Sequence, residues 1–270
     1  MTTAVSMPDL RVTPRRVIRA EWIKFWSLRS SIITLGVGVL FLVGIGLLAT
    51  STFDSGGPTI GDGPGGPGGG PVGPVEISLA GTNFAQLAFG TLGVLFMASE
   101  YATGMIRSSL AAVPKRLPVL WAKIAVFAAV VFVVSLAATV IAFTAGQAIL
   151  GDSGASWSDP GVTRAVIGSA VTVTGAGLLG LGLGALLRST PAAISSLFGL
   201  MFLLSGVAAL LLPDSWGDVV EFLPTNAANS FTAVSAESGA LAPAAGLAVF
   251  AAYLLAILVA AAWRLKRSDA

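Results

Sequence analysis

Residues 119–150 read VLWAKIAVFAAVVFVVSLAATVIAFTAGQAIL, and this stretch decides the fold class. It is apolar on all sides, and Lys123 is its only charged residue. A bilayer core about 30 Å thick is crossed by about 20 apolar residues in a helix. A membrane-barrel strand would instead alternate apolar with polar residues. We therefore predict a transmembrane helix that tilts or begins in the interface, with Lys123 reaching back to the lipid headgroups.

Five more apolar runs share this character, so the chain is predicted to be an all-α membrane protein with six transmembrane helices. Apolar residues make up 55% of its 270 residues and charged residues only 10%, whereas soluble domains carry about 25% charged residues. Mean hydropathy is +0.88. The predicted six-span domain covers residues 30–264. Its runs cover about residues 31–50, 78–98, 119–150, 165–187, 192–212 and 243–263.

The basic residues lie almost entirely on one side of these predicted spans. Of the 15 Lys and Arg residues, only Arg164 falls on the other side. Most acidic residues show the opposite bias. Because cytoplasmic loops are enriched in Lys and Arg, both termini are predicted to be cytoplasmic, with residues 265–270 as a short tail.

Two external loops are predicted. Residues 51–78 contain ten Gly and five Pro, and such a stretch cannot form an apolar face, so it is expected to be a disordered linker. Residues 213–242 mix apolar and polar residues. They are expected to form partly embedded helices broken at Pro224, since their apolar content would be costly in water.

Residues 1–29 are predicted to include an amphipathic helix on the inner membrane surface. Ile18, Trp22, Phe25 and Trp26 recur at helical spacing, and the basic residues lie mostly elsewhere around the helix; they are Arg15, Arg16, Arg19 and Lys24. Such a helix suits the interface and its anionic lipids. A simple topology signal is the alternative. The residues singled out are Arg19, Glu21, Trp22, Lys24, Trp26 and Arg29.

Residues 100–118 form the most informative cytoplasmic segment. Glu100, Gly104, Arg107 and Ala111 are spaced to share one helical face. Pro114 is expected to end the helix, and the cations that follow suit the helix dipole. This pattern predicts a short projecting helix that docks in a cleft of a partner. An ordinary loop whose charges face water is the alternative.

No chemistry is predicted within this chain. The absence of Cys and His excludes thiolate catalysis, Ser–His systems and the commonest metal ligands, and no phosphate-binding Gly-x-x-x-x-Gly-Lys-Ser/Thr motif occurs. We therefore predict a non-enzyme with no catalytic, cofactor-binding or metal residues. Asn83 and Gln86 are candidates to line a pathway, although such side chains more often bond between helices.

Three segments resemble the ABC-2 type permeases, the membrane subunits of ABC transporters, in an actinobacterial style. The first is RAEWIKFWSLR at residues 19–29, and the most specific is SEYATGMIRSSLAAVPKR at residues 99–116. Residues 180–188, with residues 223–227, form a weaker third. With the six-span layout, the resemblance covers nearly the whole chain, but the Gly/Pro-rich loop departs from it.

The resemblance implies a permease subunit of an exporter in the bacterial plasma membrane. Its expected partners are separate ABC ATPase subunits, which would carry ATP and Mg²⁺, a second permease copy or paralogue, and membrane lipid, with no nucleic acid. The lead helix would be the family's interfacial helix. The ATPase-coupling residues would be Glu100, Gly104, Arg107, Leu110, Pro114 and Arg116. A non-transporting membrane interaction or immunity protein and a secondary transporter are the rival interpretations.

Overall fold

The computed structural model describes residues 13–54, 73–113, 116–211, 216–234 and 240–267. Within these ranges every regular element is a helix. The α-helices are α1 Pro14–Ser27, α2 Arg29–Leu40, α3 Gly46–Asp54, α4 Pro74–Ser78, α5 Gly81–Ala102, α6 Met105–Ala112, α7 Leu117–Leu150, α8 Val162–Leu187, α9 Thr190–Phe198, α10 Leu204–Leu211, α11 Gly217–Val220, α12 Pro224–Thr232 and α13 Pro243–Arg267. Short π-helical segments, Phe41–Ile45 and Gly199–Leu203, join α2 to α3 and α9 to α10.

Among the described residues, six helical segments are long and apolar enough to cross a membrane, which confirms the predicted six-span, all-α architecture. Spans 1 to 6 are Arg29–Phe53, Pro74–Ala102, Leu117–Ser153, Val162–Leu187, Thr190–Ala208 and Pro243–Arg267. The bundle end that carries α1, α6 and the last turn of α13 is called the basic end below, because it contains all the basic residues of the described ranges except Arg164.

Spans 2 and 4 form the centre of the bundle, and glycines let their backbones touch. A Cβ atom on Gly93 would clash with the carbonyl oxygen of Gly177, and one on Gly180 would clash with that of Gly90. Small residues permit such close approach between membrane helices. Spans 2 and 4 are mostly buried, whereas spans 1, 5 and 6 are mostly exposed at the bundle surface.

Part of the predicted external linker is helical. Residues 51–54 complete α3, and α4 begins at Pro74, where proline suits the first turn. The prediction of a linker over all of 51–78 is therefore wrong at both ends. Residues 74–78 are helical because Val75 and Ile77 are buried inside the bundle. The glycine-rich centre, residues 55–72, lies outside the described residues, as do residues 1–12 and 268–270.

The segment between spans 5 and 6 contains short helices, as expected, although residues 212–215 and 235–239 lie outside the described residues. Pro224 does not simply break a helix there but starts α12. Helix α12 packs against spans 4 and 6, and its Ala227, Ala228 and Phe231 are buried. The Phe231 ring lies 6.0 Å from that of Phe250 in span 6.

The prediction that Glu100, Gly104, Arg107 and Ala111 share one helical face is wrong. Glu100 lies near the end of span 2, and Gly104 separates that span from α6. The backbone of Gly104 has φ +72°, in the left-handed region that glycine tolerates, and this turn redirects the chain. Pro114 lies outside the described residues, as do the side chains of Arg107 and Leu110.

Candidate functional site: a charge ring at the basic end

Four charged side chains meet between α1, span 2 and span 3 at the basic end. Lys123 Nζ lies 2.7 Å from Glu21 Oε2 and 2.9 Å from Glu100 Oε1. Lys24 Nζ lies 2.7 Å from Glu21 Oε1 and 3.1 Å from Glu100 Oε1. Each lysine therefore contacts both carboxylates, and Glu21, Lys24, Glu100 and Lys123 form a closed, alternating set that we call the charge ring.

Local sequence explains how each member reaches the ring. Glu21 and Lys24 are three residues apart on α1, so they lie on neighbouring positions of one helical face. Glu100 lies two residues before the end of span 2. Lys123 lies six residues past Leu117, the first residue of span 3, which corresponds to about 9 Å along a helix.

The ring also reaches α6. Lys24 Nζ donates a hydrogen bond to Ser109 Oγ at 3.0 Å. One ammonium group thus contacts its own helix, the end of span 2 and the short helix that follows it. Through these contacts the charge ring joins α1, which is distant in sequence, to span 2, α6 and span 3, which follow one another along the chain.

The ring is almost completely removed from solvent. The exposed fractions of its side chains are 2% for Glu21, 24% for Lys24, 3% for Glu100 and 1% for Lys123. Burying a single ion costs on the order of several kcal/mol even after its surroundings relax. Two carboxylates and two ammonium groups cancel in charge, so the burial is tolerated only while acidic and basic charges stay balanced.

The neighbouring carboxylates stabilise the positively charged form of Lys24. Burial would lower the pKa of Lys24, but the hydrogen bond to Glu21 and the attraction of Glu21 and Glu100 outweigh it. The pKa of Lys24 is therefore raised from its ordinary value of 10.5. Lys24 remains an ammonium group throughout the physiological pH range.

Aromatic rings pack directly against the charges. Lys123 Nζ lies 4.0 Å from the centre of the Phe96 ring, a cation–π arrangement. The ring of Phe25, on α1, contacts those of Phe96 and Phe127 edge-on, with centroid distances of 5.2 and 6.4 Å. These aromatic side chains keep water away from the charge ring and anchor α1 on spans 2 and 3.

The expectation that Lys123 reaches the lipid headgroups is wrong. Its side chain is buried because Glu21 and Glu100 approach from two other segments and neutralise it inside the protein. Sequence reasoning treated Lys123 as a span-boundary charge. The available signal was a balanced set of two acids and two bases close to span ends at one side of the membrane.

The remaining predicted residues of the N-terminal segment are exposed, and Arg29 among them is the first residue of α2. Val17, Glu21 and Phe25 face the protein, while Arg19, Trp22, Trp26 and Arg29 are exposed. The Trp22 and Trp26 rings lie 5.9 Å apart. Helix α1 thus has two apolar stripes, and Phe25, predicted with the tryptophans, belongs to the buried one. Arg116 precedes span 3 with φ +49°, and it does not belong to the ring.

Asn83 and Gln86 contact each other within span 2. Gln86 Nε2 donates a hydrogen bond to Asn83 Oδ1 at 3.3 Å, and Gln86 is buried. Gln86 lies four residues before Gly90 on the same face of span 2, and a Cβ at Gly90 would strike the side chain of Leu197 in span 5. Their role in a pathway stays a prediction.

The fold and the ring define an integral membrane protein with six helical spans and a buried, neutral charge cluster at one end. In the part of the chain that the structure describes, no group of three or more His, Cys, Asp and Glu residues could hold a metal ion. Comparison with models of known protein families finds no match, and a search of curated proteins finds none either.

Proposed function

We propose that this chain is the membrane-spanning permease subunit of an ATP-driven ABC exporter in the bacterial plasma membrane, with both termini in the cytoplasm. A separate ATPase chain binds ATP and Mg²⁺ and supplies the energy. The transport unit contains two permease chains, either two copies or a copy with a paralogue. This proposal rests on the resemblance of residues 19–29 and 99–116 to ABC-2 permeases and on the geometry of the charge ring.

The charge ring is the observation that carries the proposal. A subunit that receives mechanical work from a partner needs a contact element that is firmly joined to its spans. Helix α6 follows span 2 directly, and the ring joins its Ser109 to α1 and to span 3 through Lys24, Glu21 and Lys123. A displacement of α6 by the ATPase is therefore passed to spans 2 and 3 together.

The distribution of charge disfavours ion coupling as the energy source. Among the described residues, the buried charged side chains are Glu21, Glu100 and Lys123, and all three belong to the ring. Ionisable residues within the membrane are the usual mark of proton and ion pathways. A secondary transporter would be expected to carry such groups nearer the middle of its spans.

The test is co-purification with a P-loop ATPase encoded beside this chain. Arg107→Glu, on α6, is expected to release the ATPase or to abolish transport-coupled hydrolysis. Arg267→Glu, an equal charge reversal at the end of span 6, is the matched control and is expected to retain both. If Arg107→Glu and Arg267→Glu behave alike and both retain coupled ATPase, the coupling role of α6 is wrong.

Failure to co-purify any ATPase would favour the non-transporting interpretation, a membrane interaction or immunity protein. Substitutions within the charge ring separate these outcomes, because their effects report on this chain alone. A stable ring without an ATPase partner would leave the fold intact and remove the proposed function.

A further inference from the structure

An apolar groove of about 440 Å³ lies between spans 3, 4 and 6. It opens on the bundle surface, where Ala129 and Leu247 are exposed. Small residues, including Ala128, Gly175 and Ala251, give it depth, and this volume falls within the range of about 300–1,000 Å³ typical of ligand sites.

The groove offers almost nothing to a polar ligand. Thr174 is the only lining residue with a polar side chain. Its Oγ1 donates a hydrogen bond to the carbonyl oxygen of Ala170 at 2.7 Å, so it is already satisfied. A polar molecule placed here would lose its hydrogen bonds to water, whereas a hydrocarbon chain would lose none.

The groove lies at the depth of the hydrocarbon core. Val171, its lining residue nearest the start of span 4, is nine residues past Val162, about 14 Å along the helix. On span 6, Leu247 is only four residues past Pro243. The groove therefore extends from the middle of the bundle towards the end opposite the charge ring.

A basic residue lies on the same span as the groove, nearer to that end of the bundle. Arg164 lies seven residues before Val171 and eleven before Gly175, spacings that place all three on one face of span 4. Its side chain is exposed, and its Nη2 donates a hydrogen bond to the carbonyl oxygen of Ala233 at 2.6 Å. An arginine has five N–H donors in a fork that matches phosphate oxygens, so this bond leaves the guanidinium able to bind an anion.

We propose that the groove and Arg164 together bind one membrane phospholipid, in the leaflet opposite the charge ring. An acyl chain fills the groove between spans 3, 4 and 6, and the phosphate pairs with Arg164. Both parts of the lipid match the protein. The acyl chain packs against a groove lined by carbon atoms, and the phosphate pairs with Arg164, the one basic side chain at that end of the described bundle. The site is separate from the charge ring and does not depend on the proposed transport function.

The test uses the purified full-length chain, partly delipidated in detergent, with bound lipid counted by native mass spectrometry. Phosphatidylglycerol is compared with diacylglycerol, which has the same chains but no phosphate. Ala128→Phe fills the groove, and Ala137→Phe, on an exposed position of the same span outside the groove, is its control. Arg164→Gln removes the charge, and Arg164→Lys retains it.

We expect one phosphatidylglycerol to bind the native chain and the Ala137→Phe variant, and Ala128→Phe to lose it. Arg164→Gln should weaken binding about fivefold, as about 1 kcal/mol per basic residue near a lipid surface implies, while Arg164→Lys should keep most of it. Thermal unfolding checks that each variant is folded. If Ala128→Phe does not fold, the comparison of Arg164→Gln with Arg164→Lys tests the proposal instead. Equal binding of diacylglycerol, or no effect of Arg164→Gln, would overturn the proposal.

Discussion

Lys123→Met tests whether charge balance holds α1 in place. The substitution keeps an unbranched side chain of similar length but removes one ammonium group, so Glu21 and Glu100 share Lys24 alone and the cluster acquires a net negative charge. Removing one partner of a buried ion pair costs about 3–5 kcal/mol, because it leaves an uncompensated buried charge. The equilibrium constant for release of α1 should therefore rise by about two to four powers of ten.

The chain has no native cysteine, so a single introduced thiol can report this release. Val17→Cys lies on the buried face of α1, where Val17 is 7% exposed, and Ile18→Cys lies on the outer face, where Ile18 is 43% exposed. With the native ring, maleimide should label Ile18→Cys quickly and Val17→Cys slowly. Adding Lys123→Met should accelerate labelling of Val17→Cys and leave Ile18→Cys unchanged.

A second substitution separates charge from packing. Glu100→Gln added to Lys123→Met restores neutrality and leaves the Glu21–Lys24 pair at 2.7 Å. The double variant should recover more than half of the lost protection. If it labels as fast as Lys123→Met, or if Lys123→Met never exposes Val17→Cys, then charge balance is not what docks α1.

Three further outcomes follow from particular contacts. Gly93→Ala should lower thermal stability by about 1–3 kcal/mol because its Cβ would strike the carbonyl oxygen of Gly177; Gly36→Ala, which meets nothing within 4 Å, should stabilise by up to about 1 kcal/mol, and equal melting temperatures would contradict the close approach of spans 2 and 4. The raised pKa of Lys24 means that its stabilising charge is fully present below its unfolded value of 10.5 and is lost only as pH rises through the higher folded value. Hydrogen exchange of α1 amides, corrected for intrinsic rates, should therefore show constant protection by Lys24 from pH 7 to about pH 9.5. Thr172→Val should be neutral or stabilising in thermal unfolding, since the buried hydroxyl has no hydrogen-bond partner in the structure, and a loss above about 1 kcal/mol would show that the hydroxyl is bonded.

The spans could be predicted from sequence because crossing a bilayer is a local requirement. Each span needs enough consecutive apolar residues, and such runs are visible without knowledge of their neighbours. The helical spacing of Glu100, Gly104 and Arg107 is misleading because it, too, takes account of the local sequence alone. Spacing assumes an unbroken helix, whereas the positive φ of Gly104 ends span 2 and lets α6 begin in a new direction.

The charge ring could not be predicted, because its members come from segments about 76 and 23 residues apart along the chain. Hydropathy marks Glu100 and Lys123 only as residues near span ends. Nothing in a linear pattern shows that the chain folds α1 back onto spans 2 and 3 and supplies Glu21 and Lys24. The pairing is a property of tertiary packing.

The ring also accounts for which side of α1 faces the protein. Ile18, Trp22 and Trp26 form one apolar stripe, and Val17 and Phe25 form another, so apolar burial alone would permit two rotations of the helix. Only one rotation brings the charges of α1 to Glu100 and Lys123. Turning α1 by about 100°, the angle between the two stripes, would move its charges away from Glu100 and Lys123 and would bury Trp22 and Trp26, which now lie on the outer surface. A neutral ring that contributes little net stability can therefore still select a single docking register, and a single register is what a helix needs if it is to move with spans 2 and 3 as one unit.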